Sequence, residues 1–313
     1  MPKISVVIPM HNSAEFLPEC FASIEMQTLD DIEAICVDDA SDDATLTIYD
    51  LFAKENPNFK CIRFDENRGV SAARNEAIKA ATGEYIAFMD DDDWYPEETT
   101  LEKLYRAAHD HDALIAGGSF SEYDNRTDRV IDDYSNEAHL SCFTFHEEGM
   151  VDYKDWQGDF GFQRFIFKRE FLLENNLEFP PLIRHEDPLF LVRAMVAAGS
   201  FYAIPDVVYR YRFHHKPRML ASDSLDDAFE AIAEILAIAS MNDLKLLHSY
   251  QIELLKQYAG EYYGLIFNES SILQARAKVL RAISANKGIR QIADILGSYR
   301  AFLSDVKAKR NED

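Results

Sequence analysis

Basic residues, cysteine and long apolar runs are all scarce in this 313-residue chain, and each scarcity narrows what the chain can do. Lys and Arg number 32 against 55 Asp and Glu, for a net charge of −23. That balance argues against a duplex-binding surface, which needs clustered cations along a phosphate backbone, so no nucleic-acid partner is expected. The four cysteines, Cys20, Cys36, Cys61 and Cys142, have no CxxC spacing. Two of them sit inside apolar strand-like runs, where a free thiol packs as a small hydrophobe, and a reducing compartment fits. No run approaches the ~20 apolar residues of a membrane span, and Met1-Pro2-Lys3 leads directly into a strand pattern rather than a signal peptide. The expected location is cytoplasmic, with association at the inner face of a membrane as an option.

What the chain has is a 47% hydrophobic composition, enough for a packed interior. Ile4-Ser5-Val6-Val7-Ile8-Pro9 is continuous rather than alternating, as in a strand covered on both faces. Similar runs recur at Ala34-Ile35-Cys36-Val37, Cys61-Ile62-Arg63-Phe64 and Tyr85-Ile86-Ala87-Phe88-Met89. Apolar residues at helical spacing fill the intervals Ala14 to Met26, Ala44 to Ala53 and Val70 to Ala81. Alternating strands and helices imply right-handed crossovers, hence an α/β fold with a mostly parallel sheet flanked by helices. A helix from Pro96 to His109 and a strand from Ala113 to Gly117 continue the pattern. Residues 119 to 161 read as loops and short strands. Regularity then returns at Phe165 to Asn175, in a helix from Glu186 to Ala198, and in a strand from Val207 to Phe213.

In such sheets ligands bind beyond the carboxyl ends of the strands. Here those ends carry Pro9-Met10-His11-Asn12, Asp38-Asp39-Ala40-Ser41, Asp65-Glu66-Asn67-Arg68-Gly69 and the four carboxylates Asp90-Asp91-Asp92-Asp93. Like charges a few Å apart repel strongly in any medium less polar than water, so the last group asks for a hard divalent cation. Oxygen ligands suit magnesium, manganese or calcium.

Five segments in this order resemble family 2 glycosyltransferases of the GT-A fold, a Rossmann-like architecture. They are Ser5 to Asn12, Val37 to Thr45, Asn67 to Asn75, Gly83 to Trp94 and His185-Glu186-Asp187, and the likeness covers roughly residues 3 to 215. The resemblance implies an inverting transferase moving a sugar from a nucleotide-diphosphate sugar, a UDP-sugar by preference. Its acceptor would be a saccharide or lipid-linked saccharide in glycan or polysaccharide biosynthesis, and its cofactor a divalent metal, manganese or magnesium.

By position, Asp90 and Asp92 match the family's Asp-x-Asp element (the DXD motif), with Asp92 the direct metal ligand and Asp90 at the ribose or the metal's waters. Asp91 stands where the family often has a small polar residue and joins the nucleotide-sugar group. Asp39 resembles the base-reading aspartate, which accepts the uracil imide N–H; supporting the turn into the next helix, with Ser41 or Asp42 as cap, is the alternative. Pro9 and Asn12 would line the base pocket or serve turn chemistry alone. Arg68 and Arg74 could meet ribose or phosphate, or pair with the acidic cluster as structural ion pairs.

Glu186 and Asp187 resemble the family's Glu-Asp pair, with Asp187 as general base and Glu186 in support. The plain alternative is two carboxylates favoured by a helix N-terminus. Tyr209 to His215 resembles the closing Tyr-x-Tyr-Arg strand and loop. There a histidine, His214 or His215 with His214 taken as the metal candidate, could act with Lys216 and Arg218 on the phosphates. Tyr153, Trp156, Phe160 and Phe162 could stack an acceptor sugar or pack under a loop.

The expected division is a catalytic domain over residues 1–220 and a C-terminal all-helical extension over 221–313. Its helices span Leu225 to Met241, Leu244 to Phe267, Ile272 to Ala285 and Ile289 to Val306. From Ser270 onward nine Lys or Arg face four Asp or Glu, a basic patch on an acidic protein. The last helix has an apolar stripe, suited to packing on the catalytic domain or on a second subunit of a homo-oligomer, or to peripheral membrane contact. Two rival functions remain: a sugar nucleotidyltransferase, which would usually carry a Gly-rich loop with a Lys after the first strand, and a non-catalytic nucleotide-sugar-binding protein. Pro9-Met10-His11-Asn12-Ser13 is not such a loop.

Overall fold

The computed structural model describes residues 1–132, 143–215 and 222–261. Cys142, Lys216, Arg218, the last two expected helices and the basic patch lie outside the described residues. The chain divides into two compact units. The first contains residues 1–156, 160–181 and 194–218, and the second 157–159, 182–193 and 219–313. The segment bearing Glu186 and Asp187 belongs to the second unit.

The first unit is built on one nine-stranded sheet. Strand β1 (Ile4–Met10) is buried throughout, as its continuous apolar pattern requires. It pairs in parallel with β2 (Ile32–Asp38) and β4 (Tyr85–Phe88), while β3 (Phe59–Arg63) extends β2. In register, Met10 lies beside Asp38 and Val7 beside Phe88, so the strands discharge their following residues on one rim.

Helices α1 (Leu17–Glu25), α2 (Thr45–Phe52) and α3 (Val70–Ala80) occupy the predicted intervals, each starting or ending within a few residues of expectation. At the entrance to α2 it is Asp43, not Ser41 or Asp42, whose carboxylate accepts the Thr45 N–H, at 2.8 Å. Phe21, Phe52 and Phe59 pack ring on ring, which closes this end of the core.

Beyond β4 the sheet is mixed, with antiparallel pairs beside a further parallel one. After α4 (Thr100–His109), β5 (Ile115–Asp124) continues past its expected end into the region read as loops and short strands, with β6 (Arg129–Ile131) on its edge. Then follow β7 (Gly149–Asp152), α5 (Tyr153–Trp156), β8 (Phe165–Lys168), α6 (Arg169–Glu174), α7 (Glu186–Ala198) and β9 (Ser200–Phe213). Strand β8 is antiparallel to both β4 and β5, β9 is parallel to β5, and β7 is antiparallel to β9.

In the second unit α8 (Ser222–Met241) precedes α9 (Lys245–Glu261). The start of α9 is capped from far away in sequence: Gln157 Oε1 accepts the N–H groups of Leu246 and Leu247.

Candidate active site

The rim of the parallel strands opens into a cleft of about 390 Å³, lined by Pro9, Met10, His11, Asp39, Asn67, Arg74, Asp90, Asp91, Asp92, Tyr211 and His215 among others. That volume is in the range of small-ligand sites. Four carboxylates and one guanidinium make the cleft strongly acidic.

Asp39 follows directly on β2 and is buried. Its Oδ1 accepts the Arg68 N–H at 2.6 Å and its Oδ2 the Gly69 N–H at 2.8 Å. The turn into α3 is therefore bound to this carboxylate, and Gly69, at φ 86°, supplies the positive-φ backbone the turn needs. An ionised carboxylate has about four acceptor positions, so each oxygen keeps capacity for a ligand donor.

His11, one of the polar residues at the end of β1, also lines the cleft. Its backbone N–H is donated to Asp91 Oδ2 at 3.0 Å, and its Nδ1 lies 2.8 Å from the Asp39 carbonyl oxygen. The ring thereby joins the β1 and β2 rims at the cleft wall.

Arg74 is buried one turn into α3. Its Nη2 is donated to Asp90 Oδ1 at 2.7 Å, and its guanidinium lies over the rings of Phe162 and Phe179. Gln163 Nε2 donates to Asp90 Oδ2 at 2.8 Å, so Asp90 is held on both oxygens. Gln163 had no signal in sequence, because it reaches the site only through the pairing of β8 beside β4.

Asp92 Oδ2 lies 2.8 Å from His215 Nε2, and both side chains are largely buried. The metal candidate His214 is placed elsewhere: it is more exposed, and its Nδ1 lies 3.0 Å from Asp124 Oδ1. His214, at φ 61°, sits in a left-handed turn just after the strand, and it is His215 that turns toward the cleft, its ring edge-to-face with Phe16.

Asp93 is fully buried. Burial, with the charges of Asp92 and Asp90 added, pushes its carboxyl well above the usual range, against the opposing hydrogen bonds from Arg212 and Tyr209.

Three nominated residues of the first unit stand off the cleft wall. Asn12, at φ 53°, ties loops together: its N–H is donated to Ser41 Oγ, and its Oδ1 accepts the Asp42 N–H at 2.9 Å. The side chain of Arg68 lies over the Phe64 ring, 4.2 Å from its centre. His214, as described, faces Asp124. Of the aromatic residues, Tyr153 and Phe162 are buried, and Trp156 packs on Phe145, Phe165 and Phe201, while Phe160 is partly exposed. Packing accounts for most of that group.

Glu186 and Asp187 form the first turn of α7, in the second unit. Glu186 is buried and Asp187 half-buried. Two acidic side chains there suit the positive end of the helix. The preceding His185 has φ 62°, and burial beside Arg184 lowers its imidazole to about 4.

Among the described residues no group of three or more His, Cys, Asp or Glu forms a ready-made metal cage. The Asp92–His215 pair still fits a divalent cation. Two neighbouring ligands at ~2.1 Å in an octahedron lie about 3 Å apart, close to the observed separation, and such ions commonly take one or two protein ligands plus substrate phosphates. The carboxylate of the pair suits magnesium or manganese, and imidazole is a common ligand of divalent transition metals.

Comparison with known proteins places the sequence pattern of glycosyl transferase family 2 on residues 5–174. A putative glycosyltransferase, EpsH of Bacillus subtilis, is 32% identical over 68% of this chain and 61% of its own length. The poly(ribitol-phosphate) beta-glucosyltransferase of Bacillus spizizenii is 30% identical over 90% of this chain and 43% of its own length. The chain thus spans only about half of these relatives. The crystal structure of S. aureus TarS 1-349 with UDP-GlcNAc superposes with a TM-score of 0.66 at 20% identity, covering 97% of this chain and 81% of that one. This likeness establishes the GT-A fold.

Proposed function

Since the chain belongs to glycosyl transferase family 2, we propose that it is an inverting glycosyltransferase that moves a sugar from a UDP-sugar to a saccharide or lipid-linked saccharide acceptor in glycan assembly. The observation that carries this reading is the convergence of Asp39, the Arg74–Asp90 pair and the Asp92–His215 pair in one strand-end cleft. In such a cleft a nucleotide diphosphate meets a base reader, a ribose contact and a pair able to hold a cation.

In this reading the free acceptor capacity of Asp39 takes the uracil imide N–H, which cytosine lacks. Pro9 and His11 wall the base. Asp90, fixed by Arg74 and Gln163, accepts from the ribose hydroxyls. Asp92 and His215 hold manganese or magnesium, which when bound neutralises the diphosphate leaving group. Asp187 takes the proton of the acceptor hydroxyl as that oxygen attacks the anomeric carbon from the face opposite the diphosphate, and Glu186 orients the acceptor. Two relatives bear on the substrates: one is a glucosyltransferase on poly(ribitol phosphate), and the solved neighbour was crystallised with UDP-GlcNAc.

The test is thermal unfolding with a panel of UDP-, GDP- and CDP-sugars, with and without manganese, followed by UDP release in the presence of acceptors. A ligand of the folded state raises stability by mass action, about 2.7 kcal/mol at a hundredfold excess over Kd. A UDP-sugar is expected to stabilise the protein only with manganese. Stabilisation by GDP-sugars alone, or by none of the panel, would contradict the proposal. Asp187→Asn is expected to keep donor binding and to lose about 10²- to 10⁴-fold in transfer rate, the usual contribution of a general base. Unchanged turnover would remove Asp187 from that role.

A further inference from the structure

The strand after the site reaches back and grips the acidic loop at three points. Asp93, fully buried, accepts the Tyr209 hydroxyl on Oδ2 at 2.7 Å and the Arg212 N–H on Oδ1 at 2.7 Å. The same Tyr209 oxygen accepts the Asp90 N–H at 3.1 Å, and Arg212 Nε donates to the Asp92 carbonyl at 2.9 Å. The other guanidinium nitrogens of Arg212 are donated to Asn125 Oδ1 and Glu19, with the group stacked on Trp94. An arginine beside a diphosphate site would ordinarily be assigned to phosphate, but here each of its three nitrogens already has a protein acceptor. Three residues further on, His215 meets Asp92.

We propose that Asp93, Tyr209 and Arg212 form a brace of positioning residues that holds the Asp92 and His215 side chains at a cation-binding separation, with Asp93 acting through its hydrogen bonds and not as a ligand. The inference rests on the metal-dependent reading above. Partners behind metal ligands commonly govern affinity by 10- to 100-fold.

The experiment measures manganese binding to the full chain, by the electron paramagnetic resonance of free Mn²⁺ with UDP present, alongside circular dichroism to confirm folding. Tyr209→Phe and Asp93→Ala are expected to weaken binding about 10- to 100-fold. Asp93→Asn, which keeps an acceptor for the Arg212 N–H and replaces the bond donated by the Tyr209 hydroxyl with one donated to its oxygen, is expected to stay within about threefold, since both contacts persist. Asn as weak as Ala would mean that the charge of Asp93 serves the metal directly, and unchanged binding by Tyr209→Phe would remove the brace; either result overturns the inference. If Asp93→Ala does not fold, Tyr209→Phe decides. Failure of the wild-type protein to bind manganese would instead overturn the metal-dependent reading itself.

Discussion

Asp159 shows how one buried carboxyl can set the pH response of the second unit. Burial pushes it up to about 6, against the hydrogen bond that Gln251 Nε2 donates to it. The folded value lies above the unfolded one, so its contribution to stability is complete below about pH 4 and is lost as pH rises through 6. Gln251 Oε1 is buried without a partner, and a protonated or amidated Asp159 supplies the donor it lacks. Asp159→Asn is therefore expected to match the wild type near pH 4 and to exceed it at pH 8 by on the order of 2–3 kcal/mol, from a shift of about two pKa units. Denaturant unfolding at the two pH values measures this; a constant difference between variant and wild type would refute it. At the same scale the two histidines separate. His215→Ala is expected to lose at least about tenfold in manganese-dependent UDP affinity, and His214→Ala to stay within about twofold. Equal losses would contradict the observed placement. The sequence resemblance narrowed the site to this dipeptide but could not say which ring turns inward, because that depends on how β9 ends.

At the scale of elements, close approach explains both a prediction and the places where pattern reading stopped short. A Cβ on Gly83 would lie 2.6 Å from the Ser5 backbone nitrogen and 2.9 Å from the Ile4 carbonyl carbon. Neither can move without shifting the central strand β1. Gly83→Ala is expected to destabilise by about 1–3 kcal/mol, the usual cost of overpacking, read from the denaturation midpoint; a neutral effect would mean that the approach is looser. The same physics hid half of β5. Gly117 and Gly118 read as a strand end, yet a Cβ on either would strike Phe165 or Val208, so the glycines permit close packing inside a continuing strand with a shifted register. Pro205 hid the first half of β9 in a similar way, since proline demotes a strand pattern while a register shift accommodates it here. By contrast β1 to β4 and α1 to α3 were legible, because their apolar periodicity is set by burial alone. Asp39 and Asp90 to Asp92 were legible by their position at strand ends. Gln163 and the brace around Asp93 were not, because they depend on pairings between strands distant in sequence.

At the scale of the whole molecule, charge sets the problem. The chain carries −23, and its cleft gathers Asp39, Asp90, Asp91 and Asp92 around a single Arg74, whose charge is already engaged by Asp90. Unit charges about 4 Å apart interact by roughly 4 kcal/mol at a surface-like dielectric. On the proposed reading, a diphosphate entering without a cation would meet this negative charge uncompensated. Among the described residues no helix is long and apolar enough to cross a membrane. The most direct measurement is calorimetric titration of UDP into the full chain, once with manganese and once with a chelator. UDP is expected to bind with manganese and to lose at least about a hundredfold in affinity with the chelator, the factor that corresponds to a few kcal/mol. Equal affinity in both titrations would contradict the reading of Asp92 and His215 as the cation site that holds the diphosphate.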